Sequence, residues 1–136
     1  VTYSVADYVK AYAEAIADLE DAEPLFDTLN SLTDSNYTKN VEALKRESEK
    51  AKTSLKGAYD KLTTIAPPDD YKEFHQLSLD AINLSLEICN LVDSMISGDL
   101  SYDEASAEIT ALENEAESIN KELNNATLNL NLSLYR

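Results

Sequence analysis

One histidine, one cysteine, eight tyrosines and 26 acidic residues are among the side chains here that could do covalent or proton chemistry. A cysteine nucleophile needs a base within hydrogen-bond reach. His75 and Cys89 lie fourteen residues apart in one helix-periodic stretch, about 21 Å along a helix axis, so they form no such pair. One His and one Cys are too few for a tetrahedral zinc site. Di-iron bundles take a Glu-x-x-His motif from each of two helices, and none occurs. No Cys-x-x-Cys-His haem attachment is present, and His75 and Met95 fall about 30 Å apart on one helix. The stretch Asp99-Leu-Ser101-Tyr-Asp103 starts like a calcium loop but lacks its sixth-position glycine and twelfth-position glutamate. Neither Gly57 nor Gly98 has a glycine partner for a phosphate loop. The expectation is a protein with no enzymatic activity, no cofactor and no metal. Chemistry by carboxylates and tyrosines alone is the one catalytic route left open.

The elements that carry these residues follow from apolar spacings of three and four, the helical signature. Four such stretches occur, and only two glycines and three prolines interrupt the chain. The first runs over about 5–32, capped by Ser4, with an expected kink at Pro24; two helices with a tight joint are the alternative. The second runs over 38–65, with lysines spaced among glutamates on an exposed face. Pro67-Pro68 ends it. The third, 70–97, is apolar around more than half its girth, so it is either deeply buried or covered by another subunit. Gly98 stops it. The fourth, 102–127, opens on the capping box Ser101-x-x-Glu104. From Leu128 to Leu134 leucine alternates with Asn or Ser, a strand-like pattern without a partner strand. That tail reads as a fraying helix end or an extended segment.

Four helices of similar length with short joints pack as antiparallel neighbours. The expected fold is therefore all-α, an up-down-up-down four-helix bundle formed by one domain. Two long hairpins swapped between chains are the alternative.

In that arrangement the aromatic residues sort by height. Tyr8 and Tyr12 start the first helix, Tyr59 ends the second, and Tyr71, Phe74 and His75 start the third. Tyr3 and Tyr135 mark the chain ends on the same side. Phe26, Tyr37 and Tyr102 take the opposite end. An aromatic core layer is one reading, because tyrosine buries its ring while its hydroxyl reaches water. The other is a ligand pocket lined by Tyr8, Tyr12, Tyr59, Tyr71, Phe74 and His75 between helix ends. Ser48, Ser78 and Ser85 fall on apolar faces as small spacers, and Glu23 is expected to turn outward at the proline.

The net charge is −15. Such a field repels phosphate backbones and anionic headgroups, so no nucleic-acid partner is expected. No run of 18 apolar residues is present, so no membrane insertion is expected. Four Asn-x-Ser/Thr triplets, at Asn36, Asn83, Asn125 and Asn131, read as compositional. The single Cys89 admits no internal disulfide. Starting at Val1, the chain reads as a processed mature domain or a piece of a longer protein.

Two segments carry a resemblance: Ile65-Ala-Pro-Pro-Asp-Asp-Tyr-Lys-Glu-Phe-His75 and Ser97-Gly-Asp-Leu-Ser-Tyr-Asp-Glu-Ala105. The helix-Pro-Pro-helix-His stretch and the Gly-x-x-Ser-x-x-Glu-Ala joint resemble those of helical-bundle domains in secreted or lipid-anchored prokaryotic proteins. The likeness spans residues 65–110. It implies an extracytoplasmic, non-enzymatic role and carries over no functional residue. The leading expectation is a binding or interaction domain for a protein or small-molecule partner. A ligand-sensing bundle and a homo-oligomer paired through the third helix are the alternatives.

Overall fold

The computed structural model describes residues 3–134, with side chains through residue 130. Tyr135 lies outside the described residues. The described chain is all-α and forms four helical arms. The first arm comprises α1 (Val5–Ile16), a 3-10 segment (Ala17–Ala22) and α2 (Glu23–Ser31). The second is α3 (Tyr37–Thr63). A 3-10 turn (Asp69–Tyr71) leads into α4 (Lys72–Ser97), and α5 (Tyr102–Leu134) is the fourth arm.

The first arm departs from a single helix kinked at Pro24. Its irregularity lies upstream of the proline, over Ala17–Ala22. The cause is the donor that proline lacks. In an α-helix the Glu20 carbonyl would accept from the nitrogen of residue 24, which in proline carries no hydrogen. Here it accepts from the Glu23 N–H instead, the tighter 3-10 pattern. Pro24 then sits in the first turn of α2, where its missing donor costs nothing. Glu23 is exposed, as the sequence suggests.

Neighbouring arms pair rising numbers with falling ones, as antiparallel helices do. Between the first arm and α3, Asp18 meets Lys61 at 3.5 Å and Asp21 meets Lys50 at 4.0 Å. Between α3 and α4, the Tyr37 hydroxyl donates to the Met95 carbonyl, and further along Leu62 meets His75. The 3-10 segment presses on α3, and the Ser54 hydroxyl donates to the Asp18 carbonyl at 2.7 Å.

Helix α4 packs against both α3 and α5. Its apolar girth is thereby used: Leu77, Ile82, Leu84, Ile88, Cys89, Val92 and Met95 are buried. Helix α5 leans mainly on α4. Among the described side chains of α5 Ala105 and Ile109 are buried, and from Leu112 to Leu130 its inner stripe is half-buried. Among the described residues no helix is long and apolar enough to cross a membrane.

The caps follow the sequence closely. Ser4 Oγ accepts from the Asp7 N–H. Ser101 Oγ accepts from the Glu104 N–H while Glu104 Oε1 accepts from the Ser101 N–H, a reciprocal capping box. Gly98 ends α4 at φ 88°, a left-handed conformation that glycine adopts without a Cβ clash. The boundary expected at residue 127 is corrected: α5 continues to Leu134. With no strand to pair with, the alternating leucines satisfy their backbone within the helix.

Candidate functional site

The first turns of α1 and α4 place their aromatic residues face to face. Tyr8 and Tyr12 are one helical turn apart on α1, and Tyr71, Phe74, His75 and Ser78 line the start of α4 and the turn before it. Two hydroxyl clasps join the helices. Tyr8 Oη lies 2.9 Å from His75 Nδ1, and Tyr12 Oη lies 2.9 Å from Ser78 Oγ.

The direction of each clasp follows from its second bond. His75 Nε2 stands 3.0 Å from the Leu62 carbonyl, which can only accept. Nε2 therefore carries the hydrogen, Nδ1 accepts, and Tyr8 donates. Leu62 lies in the last turn of α3, and its carbonyl also accepts from the Ile65 N–H at 3.2 Å, so the imidazole adds a second bond at that helix end. Burial holds His75 below its ordinary pKa, an effect the Leu62 bond partly offsets. The neutral ring thus ties α1, α3 and α4 together. Ser78 Oγ donates to the Phe74 carbonyl at 3.0 Å, so its one hydrogen is used and Tyr12 donates to it. Burial raises the pKa of Tyr8 first, and the neighbouring Tyr12 and Tyr71 add to that rise. Burial likewise raises Tyr12, with the Ser78 bond opposing it. Both phenols stay protonated donors.

Four rings close a circuit: Tyr8–Tyr12 at 5.9 Å, Tyr12–Phe74 at 5.0 Å, Phe74–Tyr71 at 6.4 Å and Tyr71–Tyr8 at 5.3 Å between centroids. All are tilted or edge-on, the geometry aromatic quadrupoles favour. These rings form one wall of a groove of about 320 Å³. Val9 completes that wall, and Thr127 and Leu130 of α5 form the other. That volume sits at the small end of ligand sites.

The surroundings set this groove apart. Among the described residues the exposed large apolar side chains are Val5, Val9 and Leu128. All three belong to the ends of α1 and α5 that frame it.

The structure thus gathers Tyr8, Tyr12, Tyr71 and Phe74 on one wall, with His75 behind them as a buried tie. Tyr59 does not join them: it makes no ring contact with the four and does not line the groove. On α3 it follows buried Ala58 by one residue, a turn of about 100° away from the core face. Thr127 and Leu130 were missed from sequence. The three-four spacing Ile119, Leu123, Ala126, Leu130 points to Leu130, although the leucine alternation obscures it, and no spacing signal marks Thr127.

Two other places hold chemistry. Asp93 on α4 accepts from Ser48 Oγ at 2.9 Å and pairs with Lys52, a polar station between α3 and α4. The hydrogen bond to Asp93 is the main reason the Lys52 pKa is raised. Beside it Cys89 is fully buried, and burial chiefly pushes its thiol up to about 11, far from a reactive thiolate. A second apolar groove, of about 440 Å³, lies between α4 and α5 over Leu91, Ala111 and Leu112. Among the described residues no three His, Cys, Asp or Glu side chains gather as a metal site requires.

Comparison with known proteins finds no matching family model, curated protein or solved structure.

Proposed function

We propose that this chain is a non-enzymatic binding domain that takes a small partner in the groove between α1, α4 and α5. One observation carries the reading: a concave wall of aromatic rings is lined by the exposed Val9, while Val5 and Leu128, the other exposed large apolar residues among those described, stand on the same ends of α1 and α5. An apolar surface concentrated at one concave place is the usual mark of a contact site. A plain aromatic core layer accounts for the buried Tyr8 but not for the exposed Val9 beside it on the groove wall. The likeness of residues 65–110 to domains of secreted or lipid-anchored proteins supports placing this function outside the cytoplasmic membrane.

A thermal-shift screen of small organic molecules tests the reading. Binding to the native state raises its stability by mass action. The expected result is a set of molecules that raise the melting temperature by several degrees, an effect that Phe74→Ala abolishes. A broad library without a single stabilising compound, or hits indifferent to Phe74→Ala, would overturn it.

A further inference from the structure

The lining of the groove says which ligand chemistry it suits. A site for an anion or a hydrogen-bond acceptor needs free donors aimed at it. Here the donors are engaged elsewhere. Tyr8 donates to His75, Tyr12 to Ser78, and Thr127 Oγ1 to the Leu123 carbonyl at 2.8 Å. Only the Tyr71 hydroxyl, among the four on the walls, lacks such a bond. Among the described residues no lysine or arginine lines the groove. His75, behind the rings, is held neutral by burial.

What remains on the walls is ring surface and aliphatic carbon. Aromatic rings attract cations through their negative faces. Four rings spaced 5.0–6.4 Å apart are mutually inclined by 40–86°; the half-buried Tyr12, Tyr71 and Phe74 offer ring surface to one small guest, and Tyr8 is buried behind them. The long-range field acts in the same direction. The chain carries a net charge of −15. Exposed Asp7, Asp69, Asp70 and Glu73 stand on the two helix ends that bear the rings, against Lys10 and Lys72, and Lys72 is paired with Asp69 at 3.0 Å. A cation approaching this end is drawn in, and an anion is turned away.

We infer that the groove of Tyr8, Tyr12, Tyr71, Phe74, Thr127 and Leu130 binds a small organic cation of the quaternary-ammonium class. Its apolar methyl groups meet Val9 and Leu130, and its charge meets the rings. A quaternary ammonium donates no conventional hydrogen bond, so it needs no acceptor from the groove. This inference rests on the groove being a binding site.

Choline and its neutral carbon isostere, 3,3-dimethylbutan-1-ol, separate the two claims, since they share shape and differ in charge. Titration calorimetry on the whole chain is expected to show choline binding about tenfold more tightly than the alcohol. Tyr71→Leu keeps an apolar side chain but removes a ring, so it should cancel most of that preference and leave the alcohol's affinity nearly unchanged. Melting curves of the variant confirm that it is folded, and Phe74→Leu serves as a second ring deletion. Equal affinity for the two probes would overturn the cation inference while the binding site stands. Failure of both probes to bind would overturn the inference, and the thermal-shift screen then decides the binding site itself.

Discussion

Lowering the pH asks His75 to take a proton on Nδ1, where Tyr8 now donates. The folded protein resists this, because burial holds the ring below its ordinary pKa. In the unfolded chain His75 titrates near pH ~6.5. Between the folded and unfolded values the unfolded state binds more protons, so stability rises with pH across that window. The contribution is complete above the unfolded value and is lost as the pH falls below it. Melting temperature measured from pH 8 to 5 should therefore drop on the acid side, with a shallower slope in His75→Gln. Parallel slopes would show that other groups govern the drop. Tyr8→Phe removes the only donor to Nδ1 and leaves a buried acceptor unpaired, at a cost of about 1–3 kcal/mol. Chemical denaturation should find it more damaging than Tyr102→Phe, whose partly buried hydroxyl bonds the Leu32 carbonyl at 3.3 Å. The sequence placed Tyr8 and His75 at the same end, but not in contact. That they bond depends on the rotation of each helix about its axis, which residue spacing leaves undetermined within a turn.

Helix ends and interruptions were the best-signalled elements. Ser4, Ser101 with Glu104, and Gly98 act locally, so their types alone announced the caps that form. The first arm was harder to read. Pro24 announced a disturbance, yet the change of pitch falls on the preceding turn, because the proline's missing donor is felt by the carbonyl four residues earlier. The end of α5 is ambiguous in sequence for a different reason, and of the two readings, helix end or extended segment, the helical one forms. Its leucine alternation has the period of a strand, but period alone supplies no partner for the backbone. The two glycines offer a paired test. A Cβ at Gly57, inside α3, or at Gly98 meets nothing within 4 Å, so space is not limiting at either. Gly57→Ala should stabilise by about 0.5–1 kcal/mol through helix propensity. Gly98→Ala should destabilise by about 1–2 kcal/mol, because φ 88° is strained for a side chain. Equilibrium unfolding of the two variants should thus move in opposite directions.

At the scale of the whole molecule, charge is unevenly spread. Residues 72–134 carry twelve acidic side chains against Lys72 and Lys121, whereas α3 holds seven lysines and arginines against four acids. Ion pairs from α3 to Asp18, Asp21 and Asp93 use part of that basic face to hold the bundle together. Helix α5 forms no such pair with another helix among the described residues, so repulsion along the acidic hairpin goes uncompensated. Sodium chloride near 0.5 M screens exposed charges beyond a few ångströms. The melting temperature should rise with salt, and a fall would mean that the α3 pairs outweigh the repulsion. The bundle architecture could be read from helical period and joint length, which act over the whole chain. The groove could not, because it depends on α1 and α5 standing apart across the start of α4.

The central claim is that partners enter at this aromatic end. Its most direct test is the ring signals of the eight tyrosines, followed by NMR as 3,3-dimethylbutan-1-ol and then choline are added. Tyr8, Tyr12 and Tyr71 should shift progressively with ligand, while Tyr37 and Tyr102, paired 5.6 Å apart at the opposite end, hold still. Shifts centred on Tyr37 and Tyr102, or no shift at Tyr12 and Tyr71 with either molecule, would contradict it.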